Sequence, residues 1–329
     1  MYKPLNFLHF EIWGKAERAS IGQKLELTEM NMANRVLIMS GGGAKGAFQA
    51  GVIEQLTKKG WKPDAVAGIS VGALNGVMVA TGKSDDLVKI WQELREEQVL
   101  KRRRIDRKAR SFLLHKLGVD KPTLGFFDNT PLRKKLRESV GNQFRMDFYC
   151  GTVNIETGAY KEHIGRPMMV PWNHLDAVIA STAIPVVFDP IKLDNELHVD
   201  GGVRHINPVG RILKDFTPNE VVFITCRPFE GNGERRKVKD LVDISIQTLN
   251  IMLEEIFMKD LRQFVQINDL VRQAEEQGAV LKKSNGEPYK VYKAELYSPH
   301  EPLGDSLNFS NEQANRNIAI GREAVSMAL

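Results

Sequence analysis

The chain predicts an α/β fold of three layers, α/β/α, with helices on both faces of a mostly parallel central sheet. The first sign is a strand, turn, helix, strand, turn, helix series between Val36 and Gly82, with glycine-rich turns. The second is that short unbroken apolar runs, Val36-Leu37-Ile38-Met39 and Glu220 to Cys226, alternate with stretches of helical periodicity. Strands covered on both faces read this way, whereas half-exposed strands alternate. At 329 residues the length suits one large α/β unit, expected over 35–329 after a loosely ordered leader at 1–34.

The leader has no sustained periodicity apart from the apolar cluster Phe7-Leu8-His9-Phe10-Glu11-Ile12-Trp13. Val36 to Met39 is the first strand. Ala44 to Lys59 then sets Phe48, Val52 and Leu56 four residues apart, with Gly60 where a left-handed C-cap is wanted. Ala65 to Ile69 is the second strand, and Ser70 opens a helix over Val71 to Ala80 that Gly82 ends. Leu87, Ile90, Trp91 and Leu94 predict a single helix over Asp85 to Leu100. Lys101 to Arg110 concentrates positive charge just ahead of Phe112, Leu113, Leu114 and Leu117. This predicts a basic, cap-like insert at about 95–124 whose 101–117 stretch touches an anionic membrane; a solvated charged face is the plainer alternative.

Thr130 to Val140, with Pro131 in its first turn, predicts a helix. Phe148 to Asn154 predicts a strand, and Asp176 to Ala183 a helix that stops before Pro185. Glu196 to Val199 is a strand running into Asp200-Gly201-Gly202, and Asn207-Pro208 starts a helix to Lys214. The stretch from about Asp240 to Glu276 lacks a breaker and carries an apolar stripe, so it predicts a long helix packed across the domain. A turn at Ser284-Asn285-Gly286-Glu287, a strand over Tyr289 to Leu296 and a helix from about Asn311 to Ala328 complete the chain.

The chemistry concentrates in the two glycine turns. Gly68-Ile69-Ser70-Val71-Gly72 places a serine between glycines at a strand-to-helix bend, the sequence form of a nucleophile elbow. The bend sets Ser70 at a helix N-terminus, where unpaired N–H groups favour a developing anion. Upstream, Gly41-Gly42-Gly43 can turn backbone N–H groups into one cavity, as an oxyanion hole requires. The same glycines fit a dinucleotide fingerprint, but the acid expected at the end of the second strand is missing: Ser70 is there, and Asp64 lies at the strand's start. A phosphate loop fails as well, because Gly46 follows Lys45. For a base, the seven histidines offer little. His9, His115 and His300 fall in tail or surface-like segments, and His163 and His174 near expected loops. Asp200 is better set, after a strand and before two glycines that let its carboxylate face a pocket, although His198 and His205 flank it.

Taken together and in this order, Gly41-Gly42-Gly43-Ala44-Lys45-Gly46, Gly68-Ile69-Ser70-Val71-Gly72 and Asp200-Gly201-Gly202 resemble the patatin-like phospholipases. The segments Gly125 to Leu132, Ala180-Ser181-Thr182-Ala183-Ile184-Pro185 and Leu307-Asn308-Phe309-Ser310 are similar too, so the resemblance spans about 35–329, the basic insert left out. It implies a patatin-like fold and a Ser70-Asp200 dyad without histidine, with Gly41 to Gly43 holding the oxyanion. Ala44, Lys45, Gly46, Gly68, Gly72, Gly201 and Gly202 would support the motifs. The implied activity is lipid acyl hydrolysis of the phospholipase A or lysophospholipase type, on a membrane phospholipid or lysophospholipid. An acyltransferase or thioesterase with the same dyad, a partner-gated lipase effector and a scaffold that has lost the chemistry are the alternatives.

Net charge is +5 with an isoelectric point near 9.0, which suits an anionic lipid surface or nucleic acid. Aromatic residues are not interleaved with the basic ones, which argues against nucleic acid as a partner. Cys150 and Cys226 lie in apolar runs and read as buried hydrophobes in a reducing compartment. No stretch approaches the ~20 apolar residues of a membrane span, and no secretion signal is evident. The expectation is a cytoplasmic protein, able to sit peripherally at a membrane, with no metal and no cofactor.

Overall fold

The computed structural model describes residues 34–102, 125–204, 209–229 and 241–327. In chain order its elements are β1 (Arg35–Met39), α1 (Gly46–Lys58), β2 (Ala65–Gly68), α2 (Val71–Ala80), α3 (Leu87–Glu93), the short strands β3 (Lys101–Arg102) and β4 (Phe127–Asp128), α4 (Thr130–Ser139), β5 (Asp147–Asn154), β6 (Tyr160–Gly165), α5 (Trp172–Ser181), β7 (Ile191–Leu193), β8 (Glu196–Asp200), α6 (Val209–Phe216), β9 (Glu220–Ile224), α7 (Leu241–Glu276), β10 (Lys293–Tyr297) and α8 (Asn311–Met327).

The sheet is mixed and mostly parallel, as expected. β10, β9, β1, β2 and β5 are parallel neighbours in that order, while β6 and β8 pair antiparallel with β5, and β7 with β8. The apolar run of β1 divides between two cores. Leu37 and Met39 join Phe48, Val52 and Phe148 on one face; Val36 and Ile38 join Tyr149, Phe223 and Ile212 on the other. Burial on both faces is why the strand shows no alternation.

β5 is longer than its parallel neighbour β2, and its edges are used unequally. β6 covers one edge from Phe148 to Val153. The other edge is shared: β2 pairs with Asp147 to Cys150, and β8 arrives from the opposite direction to pair with Thr152 to Asn154. The two strands therefore meet end to end, Gly68 opposite Cys150 and Asp200 opposite Thr152. That is a separation of about 7 Å along β5 at 3.3 Å per residue. β8 is returned to this edge by the β7–β8 hairpin. In its two-residue turn Asp194 and Asn195 both have positive φ, 49° and 69°, the left-handed pair that matches strand twist.

Two expectations change. The helix predicted from Asp85 to Leu100 ends at Glu93, and Leu94 is extended at φ −66°, ψ 133°. At 3.6 residues per turn, a straight helix would carry Val99 and Leu100 well away from the Leu87–Trp91–Leu94 stripe. The break lets all of these residues be buried. Beyond it, β3 pairs with β4; the rest of the basic insert and of the 101–117 stretch, residues 103 onward, lies outside the described residues, as does the leader up to 33. The strand expected over Tyr289 to Leu296 is confined to Lys293–Tyr297. The long helix is present over 36 residues, with Phe257, Met258, Leu261 and Val271 buried and Ile251, Met252 and Leu270 exposed. No described helix is long and apolar enough to cross a membrane.

On the first face α1 and α8 cross at backbone contact. A Cβ on Gly51 would stand 2.2 Å from the Ile318 carbonyl oxygen, and one on Gly321 2.2 Å from that of Phe48. Backbone cannot yield as a flexible side chain does. Gly51→Ala should therefore lower unfolding free energy by about 1–3 kcal/mol, the usual range for overpacking, measured as a fall in the urea midpoint; an unchanged midpoint would contradict this packing.

Candidate active site

The end-to-end meeting of β2 and β8 brings two polar residues into one cleft. Beyond β2 the chain bends at Ser70, whose φ of 55° and ψ of −126° lie where non-glycine residues are strained. The bend is tight enough that a Cβ on Gly72 would stand 2.5 Å from the Met39 carbonyl oxygen, and a Cβ on Gly68 would meet the Gly72 carbonyl at 2.1 Å. Ser70 occupies the N-cap position of α2, and its carbonyl accepts from the amides of Ala73 and Leu74 at 2.9 and 3.2 Å.

Asp200 ends β8 and is 1 % exposed. Its Oδ1 accepts from the Gly202 amide at 2.9 Å, which forms the turn Gly201–Val203. Oδ2 is buried without a hydrogen bond of ordinary geometry. Burial pushes the carboxyl pKa up to about 7, against the Gly202 amide and the Ser70 hydroxyl, which both lower it. Ser70 is thus near enough to be felt, through a contact outside ordinary hydrogen-bond geometry. Gly201 packs on β5, where a Cβ would meet the Gly151 carbonyl oxygen at 2.3 Å.

One segment steadies both residues. The Ser70 amide donates to Ser181 Oγ at 3.1 Å, and the Asp200 amide donates to the Ala183 carbonyl at 3.0 Å. The sequence marks Ala180 to Pro185 only as similar to a family; its work is to hold the ends of β2 and β8 in register.

The glycine turn forms the opposite wall. Gly41, Gly42 and Gly43 line the cleft with Ser70 and Asp200, and their amides donate to no protein acceptor among the described residues. Gly43, at φ 57°, passes so close to Ser306 that a Cβ would stand 2.2 Å from its carbonyl oxygen, and the same oxygen accepts from the Ala44 amide at 2.8 Å. Lys45 is buried in the short turn Gly43–Lys45, and Gly46 begins α1 against Val71 and Trp91.

Behind this turn runs a buried polar chain. Trp91 Nε1 donates to Asn75 Oδ1 at 3.0 Å, Asn75 Nδ2 to Gln49 Oε1 at 2.9 Å, and Gln49 Nε2 to the Ser40 carbonyl at 2.8 Å. Ser40 Oγ then donates to the Gly41 carbonyl and accepts from the Cys226 amide. Its members satisfy one another away from water, which makes such a chain rigid.

Two cavities meet at Ser70. The first is the cleft, about 580 Å³ and partly open to solvent, which continues past Thr225, Arg227 and Asn250. The second is an apolar pocket, also partly open to solvent and about 820 Å³ with that open space included, walled by Leu74, Met78, Leu87, Ile90, Trp91 and Phe309 among others. Gly43, Ser70, Ile184 and Ser306 belong to both. Sequence reasoning missed the pocket, because its walls come from α2, α3, α4 and the loop before α8. The Leu87, Ile90 and Trp91 stripe was its one signal, and that reads equally well as core.

The described histidines line neither cavity. His163 lies in β6 and His174 in the first turn of α5; β6 carries the polar run Tyr160-Lys161-Glu162-His163, which reads as loop although it pairs along β5. Thr152 Oγ1 bonds both His163 Nε2 at 2.8 Å and His198 Nδ1 at 2.9 Å. Burial, with Lys161 nearby, lowers the His163 pKa to about 4. His205 lies outside the described residues. Cys150 is fully buried, and burial pushes its thiol up to about 12. Among the described residues no group of three His, Cys, Asp or Glu side chains could hold a metal ion.

With this geometry in view, residues 37–213 match the family model described as patatin-like phospholipase. Lysophospholipase nte1 of Aspergillus terreus (strain NIH 2624 / FGSC A1156) is 26% identical over 170 residues, 50% of this chain and 10% of that protein. Uncharacterized protein YqhO of Bacillus subtilis (strain 168) is 27% identical over 224 residues, 63% of this chain and 76% of that one. The crystal structure of VipD from Legionella pneumophila superposes with a TM-score of 0.47 at 16% identity, over 90% of this chain and 66% of that chain. The match thus covers about a tenth of the length of the Aspergillus relative.

The raised Asp200 pKa has a thermodynamic sign. The folded state holds this proton up to about pH 7, whereas an unfolded aspartate releases it near pH 4. The stability this proton contributes is therefore complete below about pH 4 and lost as pH rises through 7. Asp200→Asn should match the parent protein's thermal stability at pH 4.5 and exceed it at pH 8, by up to about 4 kcal/mol. A stability difference that does not change with pH would contradict the buried carboxyl.

Proposed function

Because this chain belongs to the patatin-like phospholipase family, we propose that it is a lipid acyl hydrolase of the phospholipase A or lysophospholipase type, working through Ser70 and Asp200. One observation carries the reading. The cleft that holds the serine, the buried carboxyl and three glycine amides with no acceptor among the described residues opens, at that same serine, into an apolar pocket walled by three helices. A hydroxyl at such a junction meets the carbonyl of an ester whose acyl chain lies in the pocket and whose alcohol half lies in the cleft.

Asp200, ionised, takes the Ser70 proton as Oγ attacks the carbonyl carbon. The amides of Gly41 to Gly43 and the N-terminus of α2 receive the charge that develops on the carbonyl oxygen. Collapse of the tetrahedral adduct breaks the ester C–O bond, and the proton returns from Asp200 to the departing alcohol. Water, deprotonated by Asp200, then attacks the acyl-serine, and the fatty acid and free Ser70 result. A carboxyl with a pKa near 7 is suited to both halves, since it can accept and return a proton near neutral pH. The mechanism needs no metal and no cofactor. The lipid is met at a membrane surface, with the basic 101–117 stretch as the peripheral contact.

Ser70→Ala and Asp200→Asn should each reduce ester hydrolysis by at least about 10³-fold while far-UV circular dichroism stays unchanged, and a fluorophosphonate should label Ser70 alone. kcat/KM should rise with pH to a plateau with a midpoint near pH 7. Full activity of either variant would overturn the dyad. Leu74→Trp, which fills the pocket beside Ser70, should shift preference from palmitoyl to butyryl esters of p-nitrophenol; equal losses on both would deny the pocket to the acyl chain.

A further inference from the structure

The alcohol half of the ester has its own surroundings, and they are charged. If the acyl chain enters the apolar pocket, the rest of the lipid leaves Ser70 through the cleft and passes the segment that follows β9. Thr225, Cys226 and Arg227 line that side, and Asn250 of α7 faces them. Among the described residues Arg227 is the only cationic side chain on the cleft, while Lys135 lines the acyl pocket.

Arg227 is held in place without being used up. Its carbonyl accepts from Thr225 Oγ1 at 2.9 Å, which fixes the backbone. Its guanidinium reaches Glu255 Oε2 at 3.7 Å, near the limit of an ion pair. Glu255 is itself shared with Arg262, which approaches more closely at 3.2 Å. The Arg227 side chain lines the cleft at 26 % exposure and, among the described residues, pairs through Nη1 with Glu255, which leaves other donors of the guanidinium for a second anion.

We propose that Arg227 is a specificity residue that binds the phosphate of the substrate's alcohol half, and hence that this enzyme prefers glycerophospholipids to acylglycerols lacking phosphate. The inference rests on the acyl hydrolase reading and assigns the other end of its substrate. In a glycerophospholipid the phosphate is only a few bonds from the ester carbonyl, on the alcohol side. A lipid anchored at Ser70 therefore carries it into the cleft. Arginine recognises phosphate through paired N–H donors, and Glu255, already coupled to Arg262, is the partner that would give way. With neutral monoacylglycerol the guanidinium gains nothing.

The test compares Arg227→Gln with the parent chain on palmitoyl lysophosphatidylcholine and on monopalmitoylglycerol, which share an acyl chain and differ in phosphate. Loss of a charge-assisted contact should raise KM for the lysophospholipid by about 10- to 100-fold with little change in kcat, and leave the neutral ester within about 2-fold. Arg227→Lys, which keeps the charge but not the fork, should fall between. Ser70 labelling by a fluorophosphonate at the parent rate shows that the variant cleft is intact; should Arg227→Gln fail that check, the Arg227→Lys comparison decides. Equal losses on the two esters, or none on either, would overturn the phosphate site while leaving the hydrolase reading standing. A parent protein that neither takes the label nor cleaves either ester overturns that reading, and this inference with it.

Discussion

The site depends on how one edge of β5 is shared. β2 runs out at Gly68 and β8, travelling the other way, ends at Asp200, with Gly151 between their partners on β5. Neither strand alone makes a site. Their abutment lets a serine from a parallel crossover face an aspartate from an antiparallel hairpin without a long loop to bring them together. The arrangement tolerates no slip, since a shift of β8 by one residue would turn Asp200 to the other face of the sheet. The two-residue turn at Asp194 and Asn195 and the contact of Asp200 with Ala183 both oppose such a slip.

The first half of the site was legible because its constraints are local. A strand buried on both faces must be an apolar run, and a tight bend between strand and helix needs glycines around its serine. Val36 to Met39 and Gly68 to Gly72 therefore announce themselves. Asp200 was legible through the glycines after it. What stayed hidden was assembled from distant parts. The apolar pocket draws on α2, α3, α4 and Phe309, none related by spacing. β6 was hidden by composition: it pairs only along one side of β5, so its Lys161 and Glu162 remain partly exposed and the run looks like loop. The break at Leu94 was hidden because Leu87, Ile90, Trp91 and Leu94 keep helical spacing up to the residue where the chain turns.

The electrostatics show a site formed against the grain of folding. A carboxyl at 1 % exposure is favoured by the fold only while it carries its proton, and Ser70 is held at a backbone angle that its side chain resists. Both penalties fall on residues at the same cleft, and both are offset by ordinary apolar packing on either side of the sheet, where β1, β2, β5 and β9 contribute side chains to two cores. His163 and His198 form a separate polar layer, tied through Thr152, while His174 bonds the Ile164 carbonyl.

The buried chain from Trp91 through Asn75 and Gln49 to Ser40 joins two parts that the proposed function keeps distinct, the wall of the apolar pocket and the glycine turn beside Ser70. An engineer who carves out the indole to admit a bulkier chain also strips Asn75 of a donor and slackens the scaffold behind Gly41. Under the proposed function, wider chain selectivity and fast turnover would oppose each other at position 91, whereas Leu87 and Met78 line the same pocket outside that polar chain.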